Sequence, residues 1–232
     1  MTETVRGALA RTSELIRRAL VVGYLRRTDR QRAARVVMVE GTPLLTLPQV
    51  FPPNSFTTSL VLRNREQLRG LDVLDVGCGA GALEVLTAGL VKSLHATDVS
   101  AEAVRTTRLN LAWHEVKHVQ VMQSDLLENV QGDFDVIVFN APFFPGKAQN
   151  AAEQQWLGDN GKILERFLQT APQYLRPRGE IWLTHADIAD EPGFHAAMRK
   201  ADFTWTVMDS RSILIETFKL YRLTRAAEAP RV

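Results

Sequence analysis

The stretch Val73-Leu-Asp-Val-Gly-Cys-Gly-Ala-Gly81 decides the fold. Its first half is a short apolar run of strand character that ends beside a carboxylate. Its second half sets three glycines where a helix should begin, so the backbone can turn tightly and a ligand can come close. Outward from it, short apolar strands are expected at 71–76, 93–97, 118–122, 134–139 and 179–184, with helices near 81–91, 101–113 and 160–174 between them. Such alternation implies parallel strands joined by right-handed helical crossovers. A helix around 192–201 then leads to β-rich runs at 203–208 and 213–221 with no helix between them, which predicts an antiparallel pair at one edge of the sheet.

Upstream, Leu9, Ile16, Leu20 and Leu25 recur near helical spacing, predicting an amphipathic helix over 4–28. Residues 35–40 and 44–47 read as a hairpin around Gly41-Thr42-Pro43, residues 48–56 as a proline-rich loop, and 58–68 as a helix. The predicted fold class is therefore α/β: a Rossmann-like, doubly wound, mostly parallel sheet with an antiparallel edge strand, plus an N-terminal helix and hairpin extension. The expected division is 1–69 as extension and lid, 70–224 as the main domain, and 225–232 as a flexible tail.

Composition bounds the function. The 232 residues are 45% hydrophobic and 23% charged, as in an ordinary globular protein. The single cysteine, Cys78, allows neither an internal disulfide nor a multi-cysteine metal site, and no apolar run approaches the roughly 20 residues that span a bilayer. A cytoplasmic protein without a membrane partner is expected. The net charge of +2 divides unevenly: in residues 1–35 nine arginines against Glu3, Glu14 and Asp29 leave +6, so the remainder carries −4. The basic segment suits RNA phosphates, a partner surface, a second copy of the chain or its own acidic core.

Gly77, Gly79 and Ala82 satisfy the G-x-G-x-x-G/A fingerprint of dinucleotide sites, so a nicotinamide cofactor has to be weighed. Asp75 argues against it, because a carboxylate at the strand end repels a pyrophosphate and suits an ammonium or sulfonium. Asp98, 19 residues beyond Gly79, is placed to accept from ribose hydroxyls, a task that both cofactor types share.

At this point the sequence resembles the class I S-adenosylmethionine-dependent methyltransferases. The likeness rests on the loop 75–81, Asp98, Ser124-Asp-Leu126 and Asn140-Ala-Pro-Phe143, all in order, and covers about 48–222. It implies that S-adenosylmethionine is the cofactor. Asp75, Gly77, Cys78, Gly79 and Asn140 would meet the cofactor, with Gly77 and Gly79 lining its methionine part; Asp98 would hold the ribose, Asp125 would meet the adenine amino group, and Val99 or Leu126 would pack on the ring.

Asn140-Ala-Pro-Phe143 looks like the Asn-Pro-Pro-Tyr/Phe motif of enzymes that methylate planar nitrogens. In that family the asparagine oxygen and the next carbonyl accept from the target NH₂, and the aromatic ring stacks on its plane. The likeness thus makes Asn140, Ala141, Pro142 and Phe143 the catalytic candidates. Ala141 departs from the usual proline, which loosens the loop. The stretch Phe143-Phe-Pro-Gly-Lys147 and the upstream Leu47-Pro-Gln-Val-Phe51 resemble ribosomal RNA guanine-N2 methyltransferases and the glutamine-modifying relatives.

Phe51, Phe56, Phe144 and Trp156 are candidates to wall a pocket for a flat group, Glu153 and Asp159 to meet a cationic substrate, and His185 to act as a base at the sheet edge. The five histidines show no metal-ligand spacing, and no metal is expected. The reading is an N-methyltransferase acting on an amide, amidine or amino nitrogen of a small molecule or peptide. The alternatives are an RNA base N-methyltransferase and a non-catalytic cofactor-binding subunit of a heteromer.

Overall fold

The computed structural model describes residues 33–143, 153, 157–187, 189–213 and 216–226. The helix expected over 4–28, the tail beyond 226, and the candidates Phe144 and Trp156 lie outside the described residues.

A hairpin of β1 (Arg35–Val39) and β2 (Thr42–Thr46) precedes helix α1 (Phe56–Arg63). The main sheet then begins with β3 (Asp72–Val76), α2 (Ala82–Thr87), β4 (Ser93–Asp98), α3 (Ala101–Trp113), β5 (Val119–Gln123) and β6 (Phe134–Phe139). It continues with α4 (Lys162–Thr170), β7 (Leu175–Ala186), α5 (Glu191–Lys200), β8 (Phe203–Ile213) and β9 (Glu216–Arg225). The seven strands run in the order β5-β4-β3-β6-β7-β9-β8. All pairings from β5 to β7 are parallel, and the antiparallel β8–β9 pair closes one edge, with the reversed strand β9 lying between β7 and β8.

Period-two alternation sends the strand side chains to two cores. Leu74, Val76, Ile137, Phe139, Ile181 and Leu183 pack against Leu164, Phe167 and Leu168 of α4 and Phe194 and Met198 of α5. Val73, Val136, Val138 and Trp182 pack on the other face against Leu60, Val61 and Leu62 of α1 and Leu83 of α2. Val39 and Leu44 of the hairpin and Leu68 join this second core, so the segment ahead of the glycine loop covers one face of the sheet.

Several elements differ in extent from the expected ones, each for a local reason. The helix expected over 58–68 divides at Asn64, whose Nδ2 donates to Leu60 O and to Asp209 Oδ2, both at 2.9 Å. Helix α2 is shorter than 81–91: the Thr87 hydroxyl bonds back to Leu83 O at 2.6 Å, and Leu90 O turns away to accept from Gly70 N–H. Helix α4 tightens into a 3₁₀ turn at Ala171–Tyr174, where Pro172 lacks the N–H that an α-helix needs. Strand β7 starts four residues early because the Arg176 guanidinium is drawn to Asp72 and Asp135, with the register shift against β6 taken up between Phe134 and Val136. No helix among the described residues is long and apolar enough to cross a membrane.

Candidate active site

A cavity of about 370 Å³ opens where β3, β4 and β6 end, at the point where the chain stops building outward toward β5 and turns back to β6. Its first wall is the glycine loop. Gly77, Gly79 and Gly81 have φ of 80°, 56° and 79°, a region that side chains other than glycine's rarely adopt. At Gly81 an added Cβ would also stand 2.9 Å from Thr107 Cγ2, so α2 can start there only from glycine. The loop is tied down at several points. Gly77 and Cys78 donate their N–H groups to Thr97 O at 2.8 and 2.9 Å, and the Thr107 hydroxyl donates to Gly79 O at 3.0 Å. Asn110 of α3 joins the loop to the hairpin, donating from Nδ2 to Ala80 O and Leu45 O and accepting from Leu45 N–H.

The carboxylates stand as the spacing predicts. Asp98, at the end of β4, accepts from Gly79 N–H at 3.0 Å and Ser100 N–H at 2.9 Å. Burial raises its pKa and these backbone donors oppose the rise. Each oxygen still has lone-pair capacity for a hydroxyl. Asp75 is buried beside the loop, and burial pushes its carboxyl up as well. Burial likewise raises the Cys78 thiol far above its ordinary value, so this cysteine is a small packing residue and not a nucleophile.

Val99, Asp125 and Leu126 line the far end of the cavity, and Phe51, Pro52 and Pro53 roof it from the upstream loop. Asp125 is ion-paired with Arg166 of α4 at 2.9 Å, a neighbour that sequence spacing did not reveal. Asn140 and Pro142 line the near end, and Ala141 is buried between them.

Asn140 Oδ1 accepts a hydrogen bond of 2.6 Å from the hydroxyl of Thr184, which is fully buried on β7. Gly158 braces the same loop from the opposite side: a Cβ there would fall 2.3 Å from Pro142 O. This contact restrains the loop that Ala141, lacking a proline ring, leaves looser. Asp159 and Ile163 complete this side of the cavity.

Three aromatic or basic candidates are placed elsewhere. Phe56 is not brought to the cavity: 42% exposed, it packs on Phe218 with ring centroids 5.3 Å apart, under the Arg211 guanidinium. Phe143 turns its edge to His185 at 5.7 Å instead of lining the cavity. His185 stands behind it, stacked on Phe194 at 3.9 Å, and burial lowers its pKa from 6.5 to about 4. Neither ring nitrogen has a hydrogen-bond partner among the described residues, so His185 is a neutral, buried ring with no described contact to the cavity.

Sequence reasoning missed Thr184, Gly158, Arg166 and the fully buried Glu84 of α2. Glu84 alone carried a signal, a lone charge inside the apolar run Ala82-Leu-Glu-Val-Leu86.

The donor set fits S-adenosylmethionine better than a dinucleotide. Asp75 is buried beside the glycine loop, where its charge would repel a pyrophosphate, while Asp98 retains capacity for ribose hydroxyls.

Comparison with known proteins agrees. Residues 42–201 match the methyltransferase small domain family. A Methanocaldococcus jannaschii protein named "Putative protein N5-glutamine methyltransferase" is 30% identical over 163 residues, covering 67% of this chain and 82% of that one. Ribosomal RNA small subunit methyltransferase C of Escherichia coli is 33% identical over 168 residues, covering 68% of this chain but 46% of its own length. The solved structure of the T. Thermophilus 16S rRNA N2 G1207 methyltransferase, in complex with AdoMet and guanosine, shares the fold with a TM-score of 0.62 at 22% identity. That match covers 83% of this chain and 50% of the other. The chain therefore belongs to the methyltransferase small-domain family and is an S-adenosylmethionine-dependent methyltransferase.

Proposed function

We propose that the enzyme methylates a planar amide nitrogen presented by a peptide or small molecule. The observation that carries this reading is the anchored asparagine at the cavity's edge. Thr184 occupies one lone pair of Asn140 Oδ1 and leaves the other to accept from a target N–H. The Ala141 carbonyl is the second acceptor. Two acceptors hold an NH₂ group in one plane and turn its lone pair toward the methyl donor. They also stabilise the positive charge that develops on nitrogen, so no strong base is needed. When bound, S-adenosylmethionine supplies the electrophilic methyl group. Asp75 and Asp98 hold its cationic and ribose parts, and the Phe51–Pro53 loop excludes water.

The glutamine-modifying relative, matched over 82% of its length, supports an amide acceptor. A second reading, RNA base methylation, is favoured by the E. coli relative and by the arginines of residues 1–35. In the division we propose, residues 1–69 form the extension and lid, 70–224 the methyltransferase domain and 225–232 the tail.

Incubating the enzyme and cell extracts with methyl-labelled S-adenosylmethionine tests the assignment. Label is expected in the protein or small-molecule fraction and is expected to vanish with Asn140→Ala. Label confined to RNA would establish the second reading instead.

A further inference from the structure

Beside Asp75, the α2 side chain of Glu84 is 0% exposed, and among the described residues neither of its carboxyl oxygens has a donor within hydrogen-bond geometry. Among the described residues the ionisable groups facing it are Asp75 of β3, Asp98 of β4 and the Cys78 thiol of the loop, and none of them is a cation. The cations on the neighbouring helices are engaged elsewhere: Arg63 of α1 with Asp209, Arg105 of α3 with Glu102, and Arg108 of α3 with Val121 O.

An ionised carboxylate in such a place is strongly disfavoured. A proton shared between Glu84 and Asp75 satisfies both groups, and burial and mutual repulsion both raise Glu84's affinity for it. At Asp98, Gly79 N–H and Ser100 N–H support the charge and oppose the rise in pKa that burial causes.

We propose that Glu84 and Asp75 form a proton-sharing pair that responds to the charge on the cofactor's sulfur. It gives up its proton when S-adenosylmethionine binds and takes one back when S-adenosylhomocysteine occupies the cavity. The inference rests on the cofactor reading. Asp75 lines the cavity and pairs in register with Val138, two residues before Asn140, so it lies on the strand next to the one that leads into the loop of Asn140 and Ala141.

The two cofactor forms differ by one methyl group and one positive charge, and only the sulfonium form offsets a second carboxylate charge. The protons balance. Binding of the sulfonium form releases one. In the transfer, the nitrogen lone pair forms the N–C bond, the C–S bond breaks with its electrons staying on sulfur, and the nitrogen gives up a proton. The carboxyl pair then recovers one proton from solvent, so the turnover releases one in all. S-adenosylmethionine binding therefore strengthens as pH rises while S-adenosylhomocysteine binding does not. The affinity ratio between them grows up to about tenfold per pH unit for a one-proton difference.

Titration calorimetry of the full chain at pH 7, in phosphate and in Tris buffer, counts these protons. Wild-type protein is expected to release about half a proton or more with S-adenosylmethionine and close to none with S-adenosylhomocysteine. In Glu84→Gln, whose carboxamide can still donate to Asp75, both ligands should bind with no difference in proton count. Equal counts for the two ligands in the wild type, or an unchanged difference in Glu84→Gln, would overturn the pair. The wild-type contrast decides even if the variant fails to fold. Folded wild-type protein that does not bind S-adenosylmethionine at all would defeat the cofactor reading and the pair with it.

Discussion

Thr184 and Asn140 form a two-residue unit, because the hydroxyl that fixes the amide has no solvent to exchange with. Thr184→Val keeps the shape of the side chain and removes the donor, at a cost of about 1–2 kcal/mol for a buried hydrogen bond. If that cost falls on the transfer step, kcat drops about tenfold while the affinity for S-adenosylmethionine stays unchanged, and Thr184→Ser restores the rate. Steady-state kinetics with a ligand-binding control separates this from general destabilisation.

His185 makes a contribution of a different kind. Its lowered pKa means that the folded state resists a proton the unfolded chain accepts. The stability it allows is fully present above about pH 6.5 and is lost as pH falls toward about 4, by about 3 kcal/mol. Asp75, whose pKa is raised, acts in the opposite direction across the same range. The expected outcome is therefore a difference between two proteins: by urea denaturation, His185→Phe should lose less stability than wild type between pH 7 and pH 4. Asp75, Asp98 and Asn140 were legible because they lie at fixed offsets from a strand end. Thr184 and Gly158 were not, since each matters through a residue distant in sequence.

At the scale of elements, the loop carrying Asn140, Ala141 and Pro142 is held by β7 on one side and by Gly158 on the other. Gly158→Ala forces Pro142 O to move from a Cβ only 2.3 Å away. A shift of this loop by about 1 Å is expected to lower turnover by about a hundredfold while S-adenosylmethionine still binds. Crystallography of the variant would show the displacement, and kinetics the loss. The strands and most helices could be read from apolar runs and periodicity. Their ends could not, because these are set by tertiary partners: Asn64 meeting Asp209, and Arg176 meeting Asp72 and Asp135. The position of β9 inside the pair was also hidden, although Leu220, Tyr221 and Leu223, all buried, distinguish it from the largely exposed β8.

For the molecule as a whole, the cavity joins the upstream loop, the glycine loop and the ends of three strands, so ligand binding should tie these parts together. S-adenosylmethionine at about 100 times its Kd adds about 2.7 kcal/mol of stability, or about 5–10 °C in Tm for a chain of this size. Asp98→Ala is expected to abolish most of that shift in a thermal melt followed by circular dichroism. Alternation of strands and helices made the mostly parallel sheet legible, but not the strand order that sets its switch point. The division of charge into a basic start and an acidic remainder, by contrast, did not identify the acceptor, because a charge excess describes attraction to a class of surface and says nothing of the atom that is methylated.

The most direct test of the central claim is the fate of label after acid hydrolysis of the methylated product. An N-methylated amide breaks down to release methylamine, so label transferred by the wild-type enzyme to a glutamine-containing peptide should be recovered as volatile methylamine, with none from Asn140→Ala. Label that is absent from the peptide, or that stays in a non-volatile methylated base when RNA is offered, would contradict an amide acceptor.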